Sequence, residues 1–115
     1  MSKRIGWEGV FPAVTTQFRD DLSLDIDATA RVMEGLIRDG VSGLIVCGTV
    51  GENCSLRADE KRKVLAAAKE VAGGKLPILS GVAEFTTAEA ALYARDAQKI
   101  GIDGLMVLPG MIYKA

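Results

Sequence analysis

One short pattern occurs twice in this chain and limits what it can fold into. Residues 40–46 are Gly-Val-Ser-Gly-Leu-Ile-Val, and residues 101–107 are Gly-Ile-Asp-Gly-Leu-Met-Val. In each copy one glycine is placed to end a helix, and a second opens an apolar run typical of a strand covered on both faces. The copies lie 101 − 40 = 61 positions apart, the length of two strand–helix units of about 30 residues each. Such a repeat favours a parallel sheet covered by helices, as in a (β/α)8 barrel.

The segments between and around these copies complete an alternating order of strands and helices. The predicted strands cover residues 10–15, 43–47, 78–82 and 104–108. The predicted helices begin near Asp25 or Asp27, near residues 57–60 and at Thr86, and they end at Gly40, Gly73 and Gly101. A complete (β/α)8 barrel needs about 250 residues. The sequence therefore predicts an α/β fold in which residues 1–115 are the N-terminal half of one barrel domain, with four strands, three helices and no second domain.

A half-barrel leaves one wall of its sheet without a partner. We expect Leu44, Val46, Leu105 and Val107 to face the barrel interior, where the opposite wall would cover them. Open strand edges beside apolar faces invite pairing with other chains. The 115-residue chain by itself is therefore predicted to be self-associated or molten.

Composition excludes several classes of function. Fourteen basic and fifteen acidic residues give a net charge of −1, which argues against nucleic acid or an anionic membrane as a partner. No apolar run approaches the ~20 residues that cross a bilayer, and no secretory signal is evident, so a cytoplasmic location is expected. The chain has no histidine and only two cysteines, Cys47 and Cys54, so we predict no metal, no cofactor and no disulfide framework.

The clearest functional signal is the segment Gly48-Thr49-Val50-Gly51, which follows the strand predicted at 43–47. Glycines let a backbone turn sharply and direct its N–H groups toward a ligand. A loop between a strand and a helix is also where α/β folds hold small anions. A tight turn that binds nothing is the alternative interpretation. Without histidine, any chemistry must come from lysine, tyrosine, threonine, carboxylates or backbone dipoles.

Four segments of the chain resemble the dihydrodipicolinate synthase / N-acetylneuraminate lyase family of Schiff-base aldolases. They are Thr16-Gln17-Phe18, Gly48-Thr49-Val50-Gly51-Glu52, and residues 56–60 and 77–81. Together with the helices between them, they make the resemblance cover nearly the whole chain. It implies a (β/α)8 barrel, assembled as a homotetramer, that acts on pyruvate or a related 2-oxo acid through a lysine imine. The implied activity is that of a lyase or aldolase.

The resemblance also assigns roles within the glycine-rich loop. The loop formed by Gly48, Thr49, Val50 and Gly51 is implied to hold the substrate carboxylate, and the Thr49 hydroxyl to join a proton relay with tyrosines. Val50 stands where the family often has a second threonine. One hydroxyl contact to the carboxylate is therefore expected to be lost.

The resemblance also implies roles for residues outside the loop, although their sequence matches to the family are weaker. Thr16 and Glu84 each follow a predicted strand at the same rim and are candidates for substrate contact. Tyr113 is the candidate relay tyrosine, although the relay position aligns without gaps with Met111. The resemblance places the imine-forming lysine on a sixth strand, and Lys114 is not its counterpart. The chain by itself is therefore expected to be inactive.

Two other functions stay open from the sequence. One is a small doubly wound phosphate- or nucleotide-binding domain that uses residues 48–51 as its phosphate loop, although neither Gly-x-Gly-x-x-Gly nor Gly-Lys-Ser/Thr is present. The other is a non-catalytic half-barrel fragment. The sequence does not distinguish addition from cleavage or dehydration.

Overall fold

The structure is a computed structural model that describes residues 5–110. Helices and parallel strands alternate along it, as the repeat predicted. In chain order they are α1 (Ile26–Arg38), β1 (Leu44–Val46), α2 (Ala58–Ala72), β2 (Ile78–Val82), α3 (Thr87–Ile100) and β3 (Gly104–Val107). A short 3-10 turn, Asn53–Ser55, lies between β1 and α2. Within 5–110, no helix is both long enough and apolar enough to cross a membrane.

The three strands form one parallel sheet in the order β1-β2-β3. Leu44 pairs with Ile78, and Leu79 pairs with Gly104. Right-handed crossovers between strands that follow one another in this order place their helices on the same face of the sheet. A doubly wound sheet instead reverses its strand order to cover both faces. This topology contradicts the doubly wound alternative and is that of a partial (β/α)8 barrel.

The first predicted strand, residues 10–15, is an extended segment rather than a regular strand. It runs parallel to β1 and forms a single bridge between Ala13 and Ile45. The Val14 N–H donates to the Ile45 carbonyl at 2.8 Å, and the Ile45 N–H donates to the Pro12 carbonyl at 3.0 Å. Pro12 has no N–H to donate, so it interrupts a continuous ladder. The described chain thus has three strands and one extended segment, where four strands were predicted.

The core lies between the sheet and the helices. This position corrects the prediction of which strand residues face the barrel interior. Leu44 and Val46 are completely buried within the core that the helices cover, whereas Ile45 between them lines the open face. The expectation that Leu44 and Val46 face the barrel interior was therefore wrong. Alternate residues of a strand point to opposite faces, but an unbroken apolar run does not reveal which set faces the helices.

The helix ends confirm most of the boundary signals in the sequence. The Asp25 carboxylate accepts a hydrogen bond from the Ala28 N–H at 3.0 Å, and the Thr86 hydroxyl accepts one from the Glu89 N–H at 3.1 Å. Gly101 ends α3 with a φ of +102°, a conformation that glycine adopts without steric cost. These caps fix where each helix starts and stops, and so fix the length of the loops at the rim.

Candidate functional site

A cleft of about 430 Å³ opens at the carboxyl ends of the strands. It is bounded by the open face of the sheet and by the loop that follows β1. Its lining residues are Ala13, Ile45, Cys47, Gly48, Thr49, Val50, Glu52, Asn53, Cys54, Ser55, Gly81, Val82, Ala83, Met106 and Leu108. The predicted placement of residues 48–51 at the carboxyl rim is therefore confirmed. Thr16, Glu84 and Pro109 lie at the same end of the sheet.

The carbonyl groups of the loop are held by donors from the protein. Asn53 donates twice, from its side-chain Nδ2 to the Cys47 carbonyl at 2.8 Å and from its backbone N–H to the Gly48 carbonyl at 3.2 Å. The Thr49 carbonyl accepts from the Glu52 N–H at 3.0 Å. The Gly51 carbonyl accepts from the Thr16 hydroxyl at 2.6 Å. Four carbonyl oxygens, those of residues 47, 48, 49 and 51, are thus occupied.

The N–H groups of the same loop differ from its carbonyl groups, because they have no hydrogen-bond partner in the described residues. Those of Gly48, Thr49, Val50 and Gly51 donate to no acceptor within residues 5–110. Cys47, which precedes them, has a φ of +54°, in the left-handed region that few residues other than glycine adopt. Successive N–H groups without acceptors give a concave turn a positive potential that suits an anion. Gly48, Thr49 and Val50, which line the cleft, therefore bring N–H groups without acceptors to its wall, while the acceptors of the loop are occupied by the protein.

Two glycines permit the close approach of backbone segments that this loop requires. A Cβ atom on Gly81 of β2 would overlap the Cys47 carbonyl oxygen, and it would lie 2.9 Å from the Gly48 Cα. A Cβ atom on Gly51 would lie 2.9 Å from the Val14 carbonyl oxygen. Both distances are too short for real Cβ contacts, so a larger residue at either position would displace the loop.

Two of the residues predicted in the loop expose their side chains. Thr49 is exposed, and its hydroxyl has no hydrogen-bond partner in the described part of the chain. Val50 is 55% exposed and brings an apolar side chain to the cleft. Thr49 is therefore the one residue among 48–51 that adds a side-chain donor and acceptor to the backbone N–H groups.

Thr16 and Glu84 are engaged by the protein itself. Thr16 is buried, and its hydroxyl proton is used by the bond to Gly51. Glu84 accepts a hydrogen bond from the Lys61 ammonium group at 2.9 Å. The two side chains of this ion pair are only 17% and 7% exposed, so Glu84 is not a solvated loop carboxylate. Both predicted residues therefore support the rim through protein contacts. Tyr113, Met111 and Lys114 lie outside the described residues.

A buried polar cluster lies beneath the loop on the helix side of the sheet. The Ser80 hydroxyl lies 2.6 Å from the Tyr93 hydroxyl and donates to the Gly81 carbonyl at 2.9 Å. Burial raises the pKa of the Cys47 thiol to about 11 and also raises the pKa of Tyr93 above its usual range. Since the thiolate is the reactive form of cysteine, Cys47 is a packing residue at neutral pH and not a nucleophile.

Sequence reasoning missed two residues that organise this rim. Asn53 supports the loop from within the 3-10 turn, and no motif in the sequence singles it out. Lys61 had a detectable signal, because it precedes Val64, Leu65 and Ala68 at the three-, four- and seven-residue spacings of a helix face. A lysine on an apolar face needs a buried partner, and Glu84 is that partner.

The arrangement can bind a small anion and supply one hydroxyl group. Residues 5–110 bring no group of three potential metal ligands together. The cleft-lining residues with ionisable side chains are Cys47, Glu52 and Cys54, and the Cys47 thiol is buried on the helix side, 4.0 Å from the Lys61 carbonyl. The backbone donors of the loop match a carboxylate, whose oxygens accept several hydrogen bonds at once, and the Thr49 hydroxyl is a separate donor and acceptor beside them.

Comparison with known proteins shows what the chain is similar to. The profile of the dihydrodipicolinate synthetase family matches residues 6–115. An uncharacterized DapA-like lyase of Rhizobium meliloti is 37% identical over an alignment of 116 positions, which covers all of this chain and 39% of that protein. A 4-hydroxy-tetrahydrodipicolinate synthase of Salinibacter ruber is 37% identical over 102 residues, or 89% of this chain and 34% of that protein.

A solved structure shows the same likeness in three dimensions. YagE, a prophage protein of E. coli K12 from the dihydrodipicolinic acid synthase family, was determined in complex with pyruvate. It superimposes with a TM-score of 0.88 at 31% identity, over 95% of this chain and 37% of YagE. The chain thus spans less than two fifths of the length of each of these three proteins.

Proposed function

The chain belongs to the dihydrodipicolinate synthetase family, and from that premise we propose that it forms the carboxylate-binding half of a lyase for pyruvate or a related 2-oxo acid. In this proposal residues 1–115 are the N-terminal half of one (β/α)8 barrel domain. The remaining strands contribute the lysine whose amine forms an imine with the keto carbon, with loss of water. A protonated imine withdraws electrons from the adjacent carbon, which makes a bond there easier to form or break.

One observation carries the proposal. The N–H groups of Gly48, Thr49, Val50 and Gly51 have no acceptor within residues 5–110, while the carbonyls around them are occupied. A carboxylate at the rim would receive these donors in a cleft with largely apolar walls. Backbone dipoles that are already oriented cost no reorganisation when the negative charge arrives. The relative YagE was solved in complex with pyruvate. This supports a 2-oxo acid as the ligand.

The side chains at the rim receive separate roles. Thr49 is the proposed relay hydroxyl, because it is exposed at the cleft and its hydroxyl has no partner in the described residues. Thr16 holds the loop through Gly51, and Glu84 holds the rim through Lys61. Their proposed roles are therefore positional, in place of the direct substrate contacts expected from the sequence. Tyr113 stays a candidate for the second hydroxyl of the relay.

The wider expectations follow from the same family resemblance. The enzyme would be a carbon–carbon or carbon–oxygen lyase that assembles as a homo-oligomer, a homotetramer by that resemblance, in the cytoplasm. It would use no metal or organic cofactor, since the imine itself supplies the electron sink.

Trapping with pyruvate and borohydride tests the proposal. Reduction converts an imine into a stable secondary amine, so the protein gains a mass that peptide mapping can locate. The 115-residue chain alone should gain none, whereas the complete barrel that carries these residues should be labelled at one lysine outside them. An adduct on any lysine of this chain, or no adduct on the complete barrel, would contradict the proposed function.

A further inference from the structure

Asn53 occupies an unusual position among the buried polar residues of this chain. Only 2% of its surface is exposed, and it lies on the wall of the cleft directly after the loop. Its Nδ2 atom donates to the Cys47 carbonyl, and its backbone N–H donates to the Gly48 carbonyl. One residue therefore holds two consecutive carbonyl groups at the point where β1 turns into the loop.

The other side-chain atom of Asn53 has no such bond. Its Oδ1 is buried and has no hydrogen-bond partner in the described residues. A buried acceptor without a donor costs stability, because it has lost its bonds to water. An apolar side chain at this position would remove the donor from the Cys47 carbonyl. The Asn53 side chain therefore bonds to the turn although its own Oδ1 is left without a partner in the described residues.

The consequence of that bond lies in the backbone of Cys47. With a φ of +54°, Cys47 is held in a left-handed conformation that is unfavourable for a residue with a Cβ atom. Such a conformation persists only when the surroundings impose it. The bonds that Asn53 makes to the Cys47 and Gly48 carbonyls fix the orientation of the two peptide groups that follow the strand. The Gly48 and Thr49 N–H groups belong to those same two peptide units.

We propose, on the basis of the proposed function, that Asn53 is a positioning residue that aims the Gly48 and Thr49 N–H groups at the substrate carboxylate. It does not touch the reacting atoms. It acts through Cys47 and Gly48, whose carbonyls point toward Asn53 while the N–H groups of the same peptides point away from it. A substitution that removes the Nδ2 donor should therefore weaken the binding of the 2-oxo acid.

Calorimetric titration of the chain with pyruvate tests this role. The Asn53→Ala variant should bind pyruvate about tenfold more weakly. A tenfold change in the dissociation constant corresponds to about the free energy of one hydrogen bond. Asn53→Ser keeps a donor of shorter reach and should give an intermediate affinity. Thr86→Ala, which removes the cap of α3, is the control: it should lower stability by a similar amount and leave the affinity for pyruvate unchanged.

A crystal structure of the Asn53→Ala variant provides a readout that does not depend on the ligand. The peptide between Cys47 and Gly48 should rotate, which changes the ψ of Cys47 and the direction of the Gly48 N–H, because the backbone bond from residue 53 to the Gly48 carbonyl is kept. If the peptide between Cys47 and Gly48 keeps its orientation, or if the affinities of the Asn53 variants match that of the unchanged chain, the positioning role is wrong. If the unchanged chain binds no pyruvate at all, the proposed function fails, and the orientation of that peptide in the variant still decides what Asn53 does.

Discussion

The Thr16 hydroxyl donates a 2.6 Å hydrogen bond to the carbonyl oxygen of Gly51, a residue 35 positions later in the chain. The bond is buried and joins the segment beside β1 to the end of the glycine-rich loop. Together with the two bonds from Asn53, it holds the loop at both ends. The N–H groups between these anchors are the ones that have no acceptor within residues 5–110.

Substitution of Thr16 by valine should therefore destabilise the fold. Valine fills the same space but leaves the Gly51 carbonyl buried without a donor, at a cost of about 1–3 kcal/mol. Thr16→Ser keeps the hydroxyl and should recover most of that loss. Denaturant unfolding of the three proteins measures the difference, and equal midpoints for the valine variant and the unchanged chain would show that the bond contributes nothing.

Substitution of Thr49 by valine should affect turnover more than binding. In the complete barrel, the proposed relay hydroxyl moves a proton in the transition state, and loss of such a partner costs about 10²–10⁴-fold in rate. The dissociation constant for pyruvate should change little, because the four N–H donors belong to the backbone. Steady-state kinetics measures the turnover rate, and a separate titration measures the dissociation constant for pyruvate. An unchanged rate with weaker binding would make Thr49 a carboxylate ligand only.

The Cys47 thiol should make stability fall at alkaline pH. Burial raises its pKa from the ordinary value of 9.0 to about 11, so the unfolded chain releases this proton at a lower pH than the folded one does. The contribution is complete below pH 9 and is lost as the pH rises to about 11, at about 1.4 kcal/mol per pH unit.

Unfolding measured from pH 8 to 11 checks this dependence. Cys47→Ala should flatten the slope, although the raised pKa of Tyr93 leaves part of it in place. Cys54→Ala is the matched control, because that thiol is exposed. The interpretation is wrong if the slope is the same with and without the Cys47 thiol.

The isolated chain should self-associate and stay folded. Leu105, Met106, Val107 and Leu108 are 38–65% exposed in one continuous run, and β3 lies at an edge of the sheet. The buried hydrophobic residues of the sheet and the helices nevertheless form one cluster, so of the two predicted outcomes we expect self-association rather than a molten state. Light scattering should give a mass above the 12.2 kDa of one chain, and Val107→Lys should shift it toward the monomer, because a charged edge strand resists pairing. A 12.2 kDa species for the unchanged chain would contradict this.

The elements of this fold could be predicted from the sequence because each has a local signal. Capping residues, glycines and apolar spacing located the three helices and three of the four predicted strands closely, and the glycine-rich loop was placed at the correct rim. The segment at 10–15 was less regular than predicted because Pro12 interrupts its ladder. The prediction that Leu44 and Val46 face the barrel interior was wrong, because a strand that is apolar on both faces shows no alternation of polar and apolar residues.

The supporting residues of the site could not be predicted in the same way. The partners of Asn53 and Lys61 depend on distances between segments: Lys61 meets Glu84 23 positions away, and the carbonyls that Asn53 holds are set by the left-handed turn at Cys47. No spacing rule encodes such a turn for a residue other than glycine. The ion pair also removes Glu84 from the solvated state that a loop carboxylate usually has.

Hydrogen exchange at residues 48–51 is the most direct test of carboxylate binding by the loop. With pyruvate, the amides of Gly48, Thr49, Val50 and Gly51 should exchange more slowly, because they gain an acceptor that the described protein does not supply. Acetate should protect the same amides to some degree, and acetone, which has the keto group without the carboxylate, should not. Gly81→Ala should abolish the protection by displacing the loop, whereas Gly35→Ala within α1 should retain it. No slowing with pyruvate, or equal slowing with acetone, would contradict the claim that this loop binds the carboxylate.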